Sequence, residues 1–171
     1  MYAVGTSLLY SRIGVCRVES IGAPPFQKGP APPYYKLRAV FSTSNERIYV
    51  PVDTALLMRP LIDGGEASAC LRRFGQMKPQ IFRSRKIPDL TSHYQQLLSS
   101  CRLEDCLLLM KEVWAKEREL AGQRKKLGQV DTRYLKIAER LVCGELAAVL
   151  HTTPEHMKRQ LYAAITEEAA S

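Results

Sequence analysis

Apolar and polar residues alternate in the first third of the chain, and apolar residues recur at helical spacing in the rest, with the change near residue 62. Tyr35, Leu37, Ala39 and Phe41 alternate with Lys36, Arg38 and Val40. Ile48, Val50 and Val52 alternate with Arg47, Tyr49 and Pro51. Each set predicts a strand with one buried face, because successive side chains on a strand point to opposite sides. Cys16 and Val18 against Arg17 and Glu19 repeat the pattern more weakly, with Gly14 marking a bend or bulge in the run from Ser7 to Ile21. Proline and glycine between Ile21 and Pro33 supply loop chemistry. Four or five short strands in residues 1–61 predict a small antiparallel β-barrel of the SH3 or Tudor kind.

Residues 62–171 predict an all-α helical bundle, so the fold class is α+β with the two parts in series. Gly65 to Phe74 and Asp89 to Ser99 read as short helices. Leu103, Leu107, Met110 and Trp114 form one apolar stripe, widened by Cys106 and Val113. Leu135, Ala138, Val142, Leu146 and Val149 form a second, and Met157, Leu161 and Ile165 a third. Thr153-Pro-Glu is a helix start: a hydroxyl cap, a proline in the first turn and an acid near the positive end. Trp114 lies on a core stripe and reads as packing.

Pro51 changes the picture of the front part. A proline cannot donate to a ladder, so its strand belongs at a sheet edge. Such an edge is either simply blunted by the proline or able to accept a strand from a partner, with Arg47 and Tyr49 as its outward side chains.

Composition excludes more than it assigns. The hydrophobic fraction of 46% and charged fraction of 25% are those of a globular protein. No stretch has the length and apolarity of a membrane span, and Met1 to Tyr10 lacks a charged flank before an apolar run, so the expectation is a cytoplasmic protein with no membrane partner. The five cysteines are scattered without a C-x-x-C pair, and His93, His151 and His156 stand at no ligand spacing from them. Buried thiols are expected, with no disulfide framework and no metal. Nucleotide-cradling glycine loops, a zinc-protease motif and a nucleophile elbow are all missing, so no cofactor, small-molecule substrate or enzymatic activity is expected. The charged pairs Lys111-Glu112 and Lys116-Glu117-Arg118-Glu119 read as solvated helix surface.

The charge is uneven. The net is +8, and Ala67 to Pro88 holds six basic residues and no acid. Arg124, Lys125 and Lys126 form a second cluster between two helices, followed by Arg133 and Lys136. Such runs suit either a polyanion or a solvated face. Nothing in them resembles a base-reading motif.

The order of the parts carries a resemblance. Tyr10-Ser-Arg-Ile-Gly-Val-Cys-Arg-Val-Glu-Ser-Ile, then Tyr34-Tyr-Lys-Leu, Ile48-Tyr-Val-Pro-Val-Asp and Met58-Arg-Pro-Leu-Ile resemble the CarD/CdnL family of bacterial transcription regulators. The first half is also similar to the polymerase-binding module of the transcription-repair coupling factor. Met110-Lys-Glu-Val-Trp-Ala-Lys-Glu-Arg-Glu and Leu141-Val-Cys-Gly-Glu-Leu-Ala resemble the family's C-terminal domain. The resemblance implies a non-catalytic protein. Its Tudor-like domain would dock on the β subunit of RNA polymerase through Arg47, Ile48, Tyr49 and Val50. Its helical domain would contact the phosphate backbone and minor groove of promoter DNA and modulate open-complex stability. The corresponding DNA-contacting residues are Arg83, Arg85, Lys86, Arg124, Lys125, Lys126 and Arg133. The family's minor-groove tryptophan is missing from Ile87-Pro-Asp-Leu-Thr-Ser-His-Tyr, which leaves Leu90 or Ile87 as a smaller wedge. The alternative is an adaptor of the same architecture that binds another protein or RNA.

Overall fold

The computed structural model describes residues 1–54 and 58–170. Two compact units divide the chain, Met1–Ile62 and Asp63–Ser171.

The first unit is a five-stranded antiparallel sheet: β1 (Ser7–Tyr10), β2 (Gly14–Gly22), β3 (Tyr34–Ala39), β4 (Ile48–Pro51) and β5 (Met58–Pro60). The order is β4-β3-β2-β1-β5, and among the described residues β4 and β5 are its two unpaired ends. The alternating side chains meet in one core of Leu8, Tyr10, Cys16, Val18, Tyr35, Leu37 and Val50, flanked by Ile48 and Val52. Gly14 is not a bulge within one long strand. Its φ of 102°, a left-handed value that suits glycine, lets β2 begin straight after the turn that ends β1. The bulge lies further on, where the β2–β3 register shifts between Val18 and Ser20 and Glu19 is the extra residue.

The second unit holds α1 (Gly64–Phe74), α2 (Ile87–Ser99), α3 (Leu103–Gly122), α4 (Gln129–Leu150) and α5 (Pro154–Ala170). Asp63 and Glu66 cap the start of α1 reciprocally. Pro88 sits inside the first turn of α2, where its missing N–H costs nothing, so α2 begins two residues before the expected Asp89. The Thr153 hydroxyl accepts from the His156 amide at 3.2 Å, starting α5 as its sequence implied. Trp114, Leu107, Leu109, Val113, Leu146 and Met157 are fully buried where the helices meet. None of these helices is long and apolar enough to cross a membrane.

The solvated reading of the α3 charges is overturned at three positions. Lys111, Glu112 and Lys116 are buried, whereas Glu117, Arg118 and Glu119 are exposed. Each buried charge has a partner that removes the cost of burial. Lys111 Nζ donates to the carbonyls of Phe74 (2.7 Å) and Gly75 (2.8 Å), closing the end of α1. Glu112 accepts from the Phe82 amide at 2.9 Å, and both its oxygens lie 2.9 Å from His93 Nε2. Lys116 Nζ lies 2.8 Å from the Tyr94 hydroxyl and 3.2 Å from Asp131 Oδ1, and that hydroxyl also donates to Asp131. The irregular segment 75–86 is thereby tied along α3 rather than left as a linker.

Candidate functional site

Two surfaces hold the residues singled out by sequence, one in each unit.

In the first unit β4 is a terminal strand. The Val52 amide donates to the Pro33 carbonyl at 3.1 Å, so Val52 bonds toward β3. Main-chain groups of an antiparallel strand alternate sides, so Val50 and Ile48 bond toward β3 as well, opposite Tyr35 and Leu37. The main-chain groups of Tyr49 and Pro51 therefore point off the sheet. Pro51 has no N–H to leave bare there, which is why a proline fits this position. Tyr49 keeps both its donor and its acceptor on the open side.

The side chains of the strand divide in the same way. Val50 is 2% exposed and Ile48 packs against the core, so neither offers a side chain at the surface. Arg47 and Tyr49 lie on the outer face. Arg47 is not a free cation: its Nε donates to Glu19 Oε2 at 2.7 Å and its Nη1 to the Asn45 carbonyl. Tyr49 meets Phe26 edge-on, with ring centres 5.8 Å apart.

In the second unit the basic segments converge on the end of α3. Arg83 forms an ion pair with Glu119 at 2.5 Å, and Glu119 lies little more than a turn before the Arg124 cluster. Arg85, Lys86, Lys125 and Lys126 are exposed. The α3–α4 turn is a Schellman closure, with the Lys125 amide donating to the Leu120 carbonyl at 2.7 Å and the Arg124 amide to that of Ala121 at 3.0 Å. Arg124 takes the left-handed position at φ 58°, where glycine would be the relaxed choice. Part of the cluster has a structural reason, because cations are favoured at the negative end of a helix. That reason does not extend to α4, where Arg133, Lys136 and Arg140 line a shallow groove on one helix face with Leu127 and Ile137. Arg133 also lies over the Tyr134 ring at 5.7 Å.

Sequence reasoning passed over Lys158 and Arg159. With Lys125, Lys126 and Lys136 they line a groove of about 1050 Å³ between α3, α4 and α5. The signal was available, since two adjacent cations preceding a buried helix stripe must stand on its wet side.

The start of α2 makes no side-chain cap, and Lys86 occupies the cap position. Ile87 beside it is 65% exposed, whereas Leu90 one turn on is half-buried. Of the two wedge candidates, Ile87 is the one that protrudes. All five cysteines are buried; burial pushes the Cys16 thiol up to about 11 and, with Glu139 nearby, the Cys143 thiol up to about 12. They are protonated at neutral pH, the opposite of an activated nucleophile.

No protein-family model matches the chain, and no functionally curated protein matches it.

Proposed function

We propose that the chain is a CarD-like accessory factor of bacterial RNA polymerase without catalytic activity. In this reading the first unit is a Tudor-like barrel that docks on the polymerase β subunit by adding a strand at β4. The second unit then rests on promoter DNA in the cytoplasm and changes the lifetime of the open complex. The observation that carries the reading is the β4 edge, terminal in the sheet and open at Tyr49. A strand added there gains main-chain hydrogen bonds without unfolding anything.

The cationic end of the helical unit supports the second contact. Arg124, Lys125 and Lys126 with Arg133 offer phosphate contacts that need no base reading. Holding them beside DNA through polymerase raises their effective concentration, so weak contacts suffice. Ile87, protruding between Lys86 and the start of α2, is the wedge in this picture.

A pull-down with core polymerase tests the first contact, comparing the wild type with Arg47→Glu plus Tyr49→Ala. Retention of the wild type and loss of the double variant is expected, and failure of the wild type to bind removes the proposal. For the second contact, DNA binding by the protein alone is expected to be weak, to fall steeply with salt and to weaken for every sequence alike in Lys125→Glu plus Lys126→Glu. A loss confined to one sequence would reveal a base-reading surface instead.

A further inference from the structure

The face of β2–β3–β4 that turns away from the core carries a group of residues the edge-strand argument does not use. Phe26, in the loop between β2 and β3, is 66% exposed. It does not dangle: its ring meets Tyr34 at 5.9 Å and Tyr49 at 5.8 Å, perpendicular to each. The three rings form an aromatic shelf directly beside the open β4 edge.

Next to the shelf the same face is cationic. Tyr34, Lys36 and Arg38 succeed one another along the outer side of β3, covering about 13 Å at the strand rise. Arg17 on β2 is the direct cross-strand partner of Arg38. Like charges in directly opposed positions destabilise a sheet. Among the described residues Arg17, Lys36 and Arg38 have no acidic partner, and the one acid of this face, Glu19, is engaged by Arg47. A fold that keeps two unpaired arginines face to face beside a lysine has left a place for negative charge.

We propose that this face, together with the β4 edge, is the docking surface for an extended acidic segment of a partner protein. The segment lays an apolar or aromatic side chain on Phe26, Tyr34 and Tyr49 and turns its acids toward Lys36, Arg38 and Arg17. Spacing fits the occupant. The aromatic and cationic positions recur every second residue, which is the period at which an extended chain presents side chains to one side. Composition fits as well, because aromatics and arginines dominate protein-binding hot spots. A nucleic acid fits less well: the perpendicular rings offer no run of parallel faces for successive bases, and the open main-chain edge can be continued only by a polypeptide. The identity of the partner rests on the polymerase reading; its chemistry rests on this face alone.

The experiment uses the full chain and two probes, core polymerase and a labelled peptide alternating Glu with Val around a central Phe. The variants are Phe26→Ala and Arg17→Glu plus Arg38→Glu, all at exposed positions that leave the core intact. Expected is saturable binding of the acidic peptide, weakened at least about tenfold by either variant, and no binding of the same peptide with Lys in place of Glu. Core polymerase should lose affinity with the same variants. An acidic peptide that fails to bind, or binds the variants as well as the wild type, overturns the surface. So does oligothymidylate binding that depends on Phe26, which would reassign the face to single-stranded nucleic acid. Polymerase binding that is lost in the Arg47→Glu, Tyr49→Ala protein but intact in the Phe26 and Arg17/Arg38 variants overturns the surface and leaves the polymerase reading standing. Peptide binding without polymerase binding does the reverse.

Discussion

Arg47 Nε lies 2.7 Å from Glu19 Oε2, so the residue just before the edge strand is tied to the bulge of β2, two strands away. The bulge turns Glu19 toward the outer face, where a regular strand would have sent it to the core side. The pair is about a quarter exposed on each side, which makes its net worth small, between 0 and about 1 kcal/mol. Its effect on binding is larger in principle, because Glu19 occupies a cation that an acidic partner would otherwise use.

Glu19→Ala is therefore expected to leave the thermal midpoint nearly unchanged and to strengthen polymerase binding. Arg47→Glu, which reverses the charge, weakens it. Titration of both variants against core polymerase checks the pair of signs. Weaker binding in Glu19→Ala would mean that Glu19 positions Arg47 rather than competing for it.

Glu112 holds the irregular segment 75–86 to α3 through the Phe82 amide, and the Phe82 ring stacks on His93 at 4.6 Å. Removing the carboxylate strands a part-buried N–H and an imidazole. Glu112→Ala is expected to cost about 1–3 kcal/mol in urea unfolding, with Glu112→Gln milder because an amide oxygen still accepts. Amide exchange at Phe82 should accelerate in Glu112→Ala. An unchanged exchange rate would show that the stacked rings alone hold the segment.

Lys116, Tyr94 and Asp131 join α3, α2 and α4 in one buried group. Lys116→Met leaves a carboxylate without its cation and is expected to cost about 3–5 kcal/mol, whereas Lys116→Met with Asp131→Asn recovers part of that loss. Tyr94→Phe removes a hydroxyl but keeps the ion pair, and about 1–2 kcal/mol is expected. A double-mutant cycle from chemical denaturation measures the coupling, and additivity of Lys116 and Asp131 would contradict the contact.

The contrast between these buried charges and the readable parts of the fold has a physical reason. Period-two alternation placed the strands Tyr34–Ala39 and Ile48–Pro51, and Pro51 marked the edge, because both signals are local. The helix stripes through Trp114, Leu146 and Leu161 were legible for the same reason. Whether Lys111, Glu112 and Lys116 face water depends on what packs over α3, and segment 75–86 has no periodicity to announce itself. One clue was present: Cys106 to Met110 is apolar at every position, and a helix apolar all round is covered on all sides. The tie between Arg47 and Glu19 was hidden because the bulge reverses the facing of Glu19. The shelf was hidden because Phe26 comes from a loop that no pattern assigns to a face.

The buried titrating groups all shift the same way, which fixes the sign of the pH dependence. Burial raises the Cys16 thiol from 9.0 to about 11 and, together with Glu139, the Cys143 thiol from 9.0 to about 12. Burial and the bond to Asp131 raise Tyr94, and burial raises Tyr10. Each group is neutral when protonated, so the folded state holds these protons more tightly than the unfolded chain does. Their contribution to stability is complete below the unfolded values and is lost as pH rises toward the folded ones. The thermal midpoint should therefore show no loss from these groups between neutrality and about pH 9, then fall between about 9 and 12. Cys16→Ala plus Cys143→Ala should flatten the early part of that fall, since the tyrosines begin to titrate higher. A Cys143 thiol that reacts with a disulfide reagent in the folded protein at neutral pH would show that it is neither buried nor raised.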